Sequence, residues 1–181
     1  MNGLEEINRA SDDHAVVLLT PLIERAPHIA RRVARRRPFS NVGHLCCAIR
    51  AELIALNETA RVALFRSHPQ LAPRNPLTMT QESQAEQARL RLTAEDNAFQ
   101  SRLAAMNARY AEKFGFPFIT ALARHRDMAS VMAEFEARMS ADRDSEIDAA
   151  IEQIAAVSAS RAAAALGLRE AESSCHLVER T

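Results

Sequence analysis

The 181-residue sequence lacks tryptophan and contains only one tyrosine and four glycines. Because large aromatic residues are scarce, its core must be built mainly from aliphatic side chains and the seven phenylalanines. Long alternations of β-branched and polar residues, which indicate strands, are also absent. The sequence is instead rich in alanine, which enters a helix at the smallest entropic cost. These features predict an all-α fold, a single compact domain of about eight or nine helices.

Net charge is absent as well. The 23 acidic residues balance the 23 basic residues, so no overall field draws the chain toward nucleic acid or anionic lipid. Five arginines lie between Arg31 and Arg37, and such an array can neutralise phosphates. Because no aromatic residues are interleaved with them, we interpret this segment as a solvated or dimer-edge helix. We expect no nucleic-acid partner.

Long apolar runs are missing too. No apolar stretch reaches the roughly 18 residues that a membrane-spanning helix needs, and no apolar region of the signal-peptide type is present. The cysteines and histidines show no spacing typical of zinc ligands. These absences predict no membrane association, no metal and a cytoplasmic location.

Helical patterns extend along the chain to about Leu166, and the residues after Gly167 are polar. We therefore predict one helical domain over residues 1–166 and a polar tail over residues 167–181. Polar side chains that can cap a helix N-terminus mark several boundaries, namely Ser40 or Asn41, Asn57, Thr80 and Thr93. The expected helices include 12–25, 28–36, 57–67, 93–114, 117–123, 128–140 and 144–166.

The histidine at position 68 is the first candidate for chemistry. Pro69 restrains the backbone that follows it, and its imidazole titrates near neutral pH. Such a side chain suits a proton donor. A histidine beside proline is nevertheless more often a helix-end or surface residue, and both interpretations stay open at this point.

Two further segments contain residues that a helical fold does not require. If the residues after Thr80 are helical, Ser83, Glu86 and Gln87 share one face and can bind a polar ligand; a solvated polar face is the alternative. Phenylalanines 114, 116 and 118 surround a glycine and a proline. This turn indicates either a ligand-binding helix start or a phenylalanine-rich corner of the core.

Together and in this order, the segments resemble those of the 2-oxo-4-hydroxy-4-carboxy-5-ureidoimidazoline (OHCU) decarboxylase family. The family's hallmarks are a His-Pro-Asp-Leu-Ala motif, a Leu-Thr…Ser-x-x-Glu-Gln helix and an Asn-x-x-Tyr-x-x-Lys-Phe-Gly-Phe-Pro-Phe stretch. The resemblance spans roughly residues 10–166. Its matching stretches are His68–Ala72, Leu77-Thr78 with Ser83, Glu86 and Gln87, Asn107–Phe118, and a late helix with Ile154, Val157 and Arg161.

The resemblance implies an all-α homodimer without metal or organic cofactor. The reaction that it implies, on a small-molecule substrate, is decarboxylation of OHCU to (S)-allantoin, the last step from urate to (S)-allantoin. The pathway also implies a urate oxidase and a hydroxyisourate hydrolase, which act before this step. It assigns the proton donor to His68, with Glu86 and Arg161 in the same catalytic pocket. The substrate-contacting positions that it implies are Pro69, Ser83, Gln87, Phe118, Ile119 and Leu122.

Some positions depart from the family pattern. Gln70 replaces the usual acid, and Arg89 and Arg91 stand where the family commonly has a Gly-Ala-Gly-Leu run. These changes bear on pocket shape and substrate preference. Two alternatives therefore stay open: a decarboxylase acting on a related ureido or imidazoline acid, and a non-catalytic helical binding protein.

Overall fold

The computed structural model describes residues 3–72, 79–90 and 97–167. The chain forms two compact units. Among the described residues, one unit contains 3–55 together with 158–167, and the other contains those that lie within Leu56–Val157.

The described ranges contain nine α-helices and two 3-10 turns, Thr20–Leu22 and Leu122–Arg124, and no strand. The predicted all-α class is therefore confirmed, whereas the boundary between a 1–166 domain and a tail stays a prediction. The helices are α1 Gly3–Arg9, α2 Asp12–Leu19, α3 Pro27–Ala34, α4 Val42–Ile54, α5 Glu58–Ser67, α6 Gln81–Arg89, α7 Asn97–Phe114, α8 Met128–Arg138 and α9 Arg143–Leu166.

Several helices begin where the sequence places a capping side chain. Asn41 and Asn57 each accept a hydrogen bond from the backbone N–H three residues later, at 2.8 and 2.9 Å. The hydroxyl oxygen of Thr80 accepts one from the N–H of Ser83 at 3.2 Å. Each bond satisfies a donor that the first helical turn leaves without a partner. The starts of α4, α5 and α6 are thus confirmed, while the proposed cap Thr93 lies outside the described residues.

The first part of the chain differs from expectation. The helix expected over 12–25 is too long, because α2 ends at Leu19 and the chain continues as a 3-10 turn. Pro21 lies in that turn and lacks the N–H that a further α-helical bond needs. Helix α1 was not expected. Its buried residues, Leu4 and Ile7, lie three positions apart on one face.

In the unit that contains the N-terminal helices, α1 to α4 pack against each other in chain order. The arginine-rich segment is tied into this unit by ion pairs. Arg32 and Arg36 both pair with the buried carboxylate of Glu52. Arg37 pairs with Asp12. Three of the five arginines thus make intramolecular ion pairs within this unit.

The unit formed by Leu56–Val157 has an aromatic core. Phe118 and Phe135 stack in parallel with ring centres 4.0 Å apart and planes 5° from parallel. The guanidinium of Arg138 lies over the ring of Phe118 at 4.7 Å. The phenylalanine-rich turn is therefore a corner of the core. The fully buried residues of the aromatic core are Phe65, Tyr110, Phe114, Phe116, Phe118 and Phe135.

The described residues offer neither a membrane-spanning helix nor a cluster of metal-binding side chains. None of the helices there is both long enough and apolar enough to cross a membrane. In the same residues, no group of three or more histidine, cysteine, aspartate or glutamate side chains could hold a metal ion.

Candidate active site

His68 follows the last residue of α5 and is held by the helix that it ends. Its backbone is extended, with φ −78° and ψ 144°, as a residue before proline must be. The ring Nδ1 lies 2.9 Å from the carbonyl oxygen of Leu64. Because a carbonyl only accepts, Nδ1 carries the hydrogen in this contact. The imidazole is thereby oriented, and in the neutral ring Nε2 is the nitrogen that carries no hydrogen.

Three residues after His68, a single peptide group is bound at both of its polar ends. The carbonyl of Leu71 accepts a hydrogen bond from Nδ2 of Asn107 at 2.9 Å. The N–H of Ala72 donates to Oε1 of Gln87 at 2.7 Å. Ala72 has φ 46°, a left-handed conformation that costs a residue other than glycine about 1–2 kcal/mol. Two side-chain amides, from α6 and α7, therefore stabilise a strained backbone next to His68.

Helix α6 has a buried polar face. Ser83 and Gln87 lie one turn apart and are 6% and 4% exposed, and Glu86 beside them is half-buried. A solvated polar face is thus not what these residues form, since a buried hydroxyl and amide need polar partners. The predicted helix and its shared face are present, and Gln87 contributes to holding the loop after His68.

The segment from Phe118 to Leu122 is not the helix expected over 117–123. It has no regular secondary structure up to Ala121, and it ends in the 3-10 turn that begins at Leu122. Side chains from other elements bind its backbone: Arg138 donates to the carbonyl of Ile119 at 2.7 Å, and the Ala121 N–H donates to Gln153 at 2.9 Å. These bonds replace helical hydrogen bonds. Because no α-helix begins here, the expected binding of a ligand by the first N–H groups of a helix does not apply to this segment.

Arg89 links this segment to α6. Its Nη2 donates to the carbonyls of Leu122 and His125 at 2.5 and 3.0 Å. The arginine that departs from the family pattern therefore holds backbone at the end of the Phe118–Leu122 segment. Through this contact α6 and the 3-10 turn pack together.

A partly buried polar network supports the same segment, centred on Glu134 of α8. Its Oε2 accepts from the hydroxyl of Thr120 at 2.8 Å and lies 2.8 Å from Nε2 of His125. Its Oε1 accepts from Arg138 at 3.0 Å. Arg138 also pairs with the fully buried Glu146, which makes the network continuous through α8 and α9.

The family described as OHCU decarboxylase matches residues 8–163. The chain belongs to the OHCU decarboxylase family. It is 37% identical to the 2-oxo-4-hydroxy-4-carboxy-5-ureidoimidazoline decarboxylase of Mus musculus over 148 residues, 81% of this chain and 83% of the mouse protein. The protein of the same name from Haloferax volcanii is 30% identical over 83% of this chain and 88% of its own length.

A solved structure shares the fold. The crystal structure of an (S)-allantoin synthase matches with a TM-score of 0.69 and 18% identity, over 90% of this chain and 53% of that chain. This member of the OHCU decarboxylase family therefore spans about half the length of that solved chain.

Most of the predicted site of this OHCU decarboxylase family member lies in one unit. The Leu56–Val157 unit contains eight of the nine predicted residues, and bonds to backbone connect the loop after His68 with α6, and α6 with the Phe118–Leu122 segment. Phe118, Ile119 and Leu122 are buried. The members within the unit are His68, Pro69, Ser83, Glu86, Gln87, Phe118, Ile119 and Leu122.

Arg161 lies on α9 in the other unit. It is 8% exposed, and its Nη2 donates to the carboxylate of Glu24 at 2.9 Å, with both side chains buried. Because a buried charge needs a partner, this pair explains how a guanidinium is kept inside the fold.

The sequence interpretation missed three residues that hold the site. Asn107 appeared only as part of a family motif, His125 had no assigned role, and Arg89 was noted only as a departure. No local pattern marks them, because their partners lie 36, 9 and 33 positions away.

Proposed function

We propose that this chain decarboxylates 2-oxo-4-hydroxy-4-carboxy-5-ureidoimidazoline to (S)-allantoin in urate breakdown. Membership of the OHCU decarboxylase family over residues 8–163 carries the proposal. The anchored His68 supports it, because the loop that follows His68 is bonded to Gln87 on the buried polar face of α6, a surface that can bind polar atoms.

The substrate's own structure explains why an electron-sink cofactor is not needed. One ring carbon bears both the carboxylate and the hydroxyl, next to a conjugated imidazoline. When the bond to the carboxylate breaks, CO2 leaves and its electron pair is delocalised into the ring. The ring then takes up one proton, which balances the reaction. The protein has to orient the carboxylate out of the ring plane and deliver that proton to one face.

His68 is the proposed proton donor. The Nδ1–H bond to Leu64 directs the chemistry to Nε2, which in the imidazolium form carries the proton that the ring receives. Glu86 is proposed to stabilise this imidazolium or to bind the ureido N–H groups. General acid catalysis of this kind contributes about 10²- to 10⁴-fold to a rate.

The remaining residues are proposed to hold the substrate. Ser83 and Gln87 supply a hydroxyl and an amide at a buried face. Pro69 and the Phe118–Leu122 segment shape the pocket, with Ile119 contributing apolar surface. Arg161 is proposed to bind the carboxylate or an enolate-like oxygen, for which a planar guanidinium is well suited; its pair with Glu24 orients the guanidinium plane.

We further propose, from the family resemblance, that the enzyme is a homodimer working in the cytoplasm without metal or organic cofactor. Sedimentation equilibrium of the purified protein tests the dimer, and a single monomeric species at micromolar concentration would contradict it.

The activity is tested by generating the unstable substrate in place. Urate is treated with urate oxidase and hydroxyisourate hydrolase, the protein is added, and circular dichroism follows the appearance of (S)-allantoin. We expect a rapid optical signal from the wild-type chain and a loss of about 10²-fold or more in His68→Ala and in Glu86→Ala.

A matched control separates catalysis from a general effect of losing a histidine. His28 is exposed on α3, and His28→Ala should turn over at the wild-type rate. Slow, optically silent decay with the wild-type protein would refute the proposed substrate and favour a related ureido or imidazoline acid. Turnover of His68→Ala within about tenfold of wild type would remove His68 from the mechanism.

A further inference from the structure

The Leu71–Ala72 peptide group, close after His68 in the chain, is anchored at both of its polar ends. Its carbonyl and its N–H each bind a side-chain amide, from Asn107 of α7 and Gln87 of α6, at 2.9 and 2.7 Å. Two bonds to opposite ends of one rigid plane fix the orientation of that plane about the chain. The backbone between His68 and Ala72 is therefore constrained at a defined point.

The same short segment is held at its other end. The ring of His68 binds the carbonyl of Leu64 on α5, and Pro69 restricts the intervening dihedral angles. Ala72 adopts φ 46°, a conformation that its own side chain disfavours. Without these partners the segment would relax to another backbone conformation. The two amides therefore determine the position of the backbone at Leu71 and Ala72.

Asn107 is poorly suited to a purely stabilising role. It is 5% exposed, and its Oδ1 is buried without a hydrogen-bond partner among the described residues. Burying a polar atom in this way is unfavourable. A leucine of similar size would remove that burden, so the value of asparagine at this position lies in the bond that Nδ2 makes to Leu71.

We propose that Asn107 is a positioning residue for proton transfer, which acts by holding the Leu71–Ala72 peptide and, through it, the placement of His68. The inference rests on the proposed function, because the role is defined by the proton that His68 delivers. Asn107 does not need to touch the substrate. Gln87 holds the other end of the same peptide, so the two side chains act on one group.

The test compares Asn107→Leu with wild type in the coupled allantoin assay. Losing the donor frees the Leu71 carbonyl and lets the His68 segment shift. A displacement of about 1 Å at a reacting group can cost about 10²-fold in rate. We expect kcat to fall about 10- to 100-fold while KM changes little, and the excess of (S)- over (R)-allantoin to fall because the proton is delivered less selectively.

Two further variants separate positioning from folding. Asn107→Asp keeps the shape and replaces the donor with an acceptor, so it should lose kcat in the same way and carries the test if Asn107→Leu does not fold. Asp142→Ala removes the cap of α9, a bond of 2.9 Å from the Ser145 N–H, and should lower the melting temperature by about 2–4 °C. Its kcat and product chirality should stay at wild-type values.

The results distinguish this inference from the proposed function. Wild-type turnover tests the function, and the ratio of variant to wild-type kcat tests the role of Asn107. A kcat within about twofold of wild type in folded Asn107→Leu or Asn107→Asp would overturn the inference, as would a defect confined to KM. An equal loss of kcat in Asp142→Ala would also overturn it, by showing that any loss of stability has this effect.

Discussion

The phenol of Tyr110 should resist ionisation for as long as the protein stays folded. Tyr110 is fully buried and donates its hydroxyl hydrogen to the carboxylate of Glu146. Burial, first, and then this hydrogen bond raise the pKa of Tyr110 well above its ordinary value, and the nearby guanidinium of Arg138 offsets this only in part. Both causes favour the neutral phenol in the folded state.

The consequence for stability has a definite sign. In the unfolded chain tyrosine ionises near pH 10, whereas the folded chain keeps its proton. The contribution of Tyr110 to folding stability is therefore complete below about pH 10. Above that pH, loss of the phenol proton lowers the free energy of the unfolded state and so destabilises the fold. Stability should fall by about 1.4 kcal/mol for each pH unit beyond that point.

The assay is direct because the chain has one tyrosine and no tryptophan. Phenolate absorbance near 295 nm then reports Tyr110 alone, while far-ultraviolet circular dichroism reports the fold. We expect the two signals to change together, at the pH where the protein unfolds. Tyr110→Phe should lack the one-proton slope in a plot of unfolding free energy against pH. Phenolate absorbance developing near pH 10 in a chain with native dichroism would refute the reasoning.

Two substitutions test the packing around the site by chemical and thermal unfolding. Arg138→Met should lower stability by about 3–5 kcal/mol because it leaves the buried Glu146 without its cation. Adding Glu146→Gln to this variant should recover part of the loss. Equal instability of the single and the double variant would show that the unpaired charge is not the cause. Gly115→Ala should lose about 1–2 kcal/mol because φ is 82° there. A Cβ at position 115 would also lie 3.4 Å from Nη2 of Arg66, whereas no atom of the described residues lies within 4 Å of a Cβ at Gly167, where φ is 80°. Gly167→Ala therefore measures the backbone strain alone, and a much larger loss at Gly167 would contradict this account.

Local signals in the sequence were sufficient for the starts of α4, α5 and α6. Asn41, Asn57 and Thr80 each cap a helix by a bond to an N–H three residues away. The helix stop at Gly115 is of the same kind, since its positive φ suits glycine. Interactions of this range are visible in a short window of residues, so they could be predicted.

The helix expected over 117–123 shows where local reasoning fails. Pro117 suits a first helical turn, yet the segment forms no α-helix. Its polar groups bind Arg138, Gln153 and Arg89, which lie 19, 32 and 33 positions from their partners. When side chains from distant parts of the chain bind these backbone N–H and C=O groups, helical hydrogen bonds are no longer needed to satisfy them. The position of these side chains is a property of the packed unit.

By itself the sequence determined the all-α class, the family and the candidate residues, from His68 to Arg161. Composition, capping and motif order are all read along the chain, which is why they sufficed. Only the tertiary structure decided which nitrogen of His68 binds the carbonyl of Leu64, and which amides hold the loop that follows His68. The bonds of Gln87 and Asn107 to that loop span 15 and 36 positions. Contacts of that range follow from how the helices pack, and no periodicity or local motif encodes them.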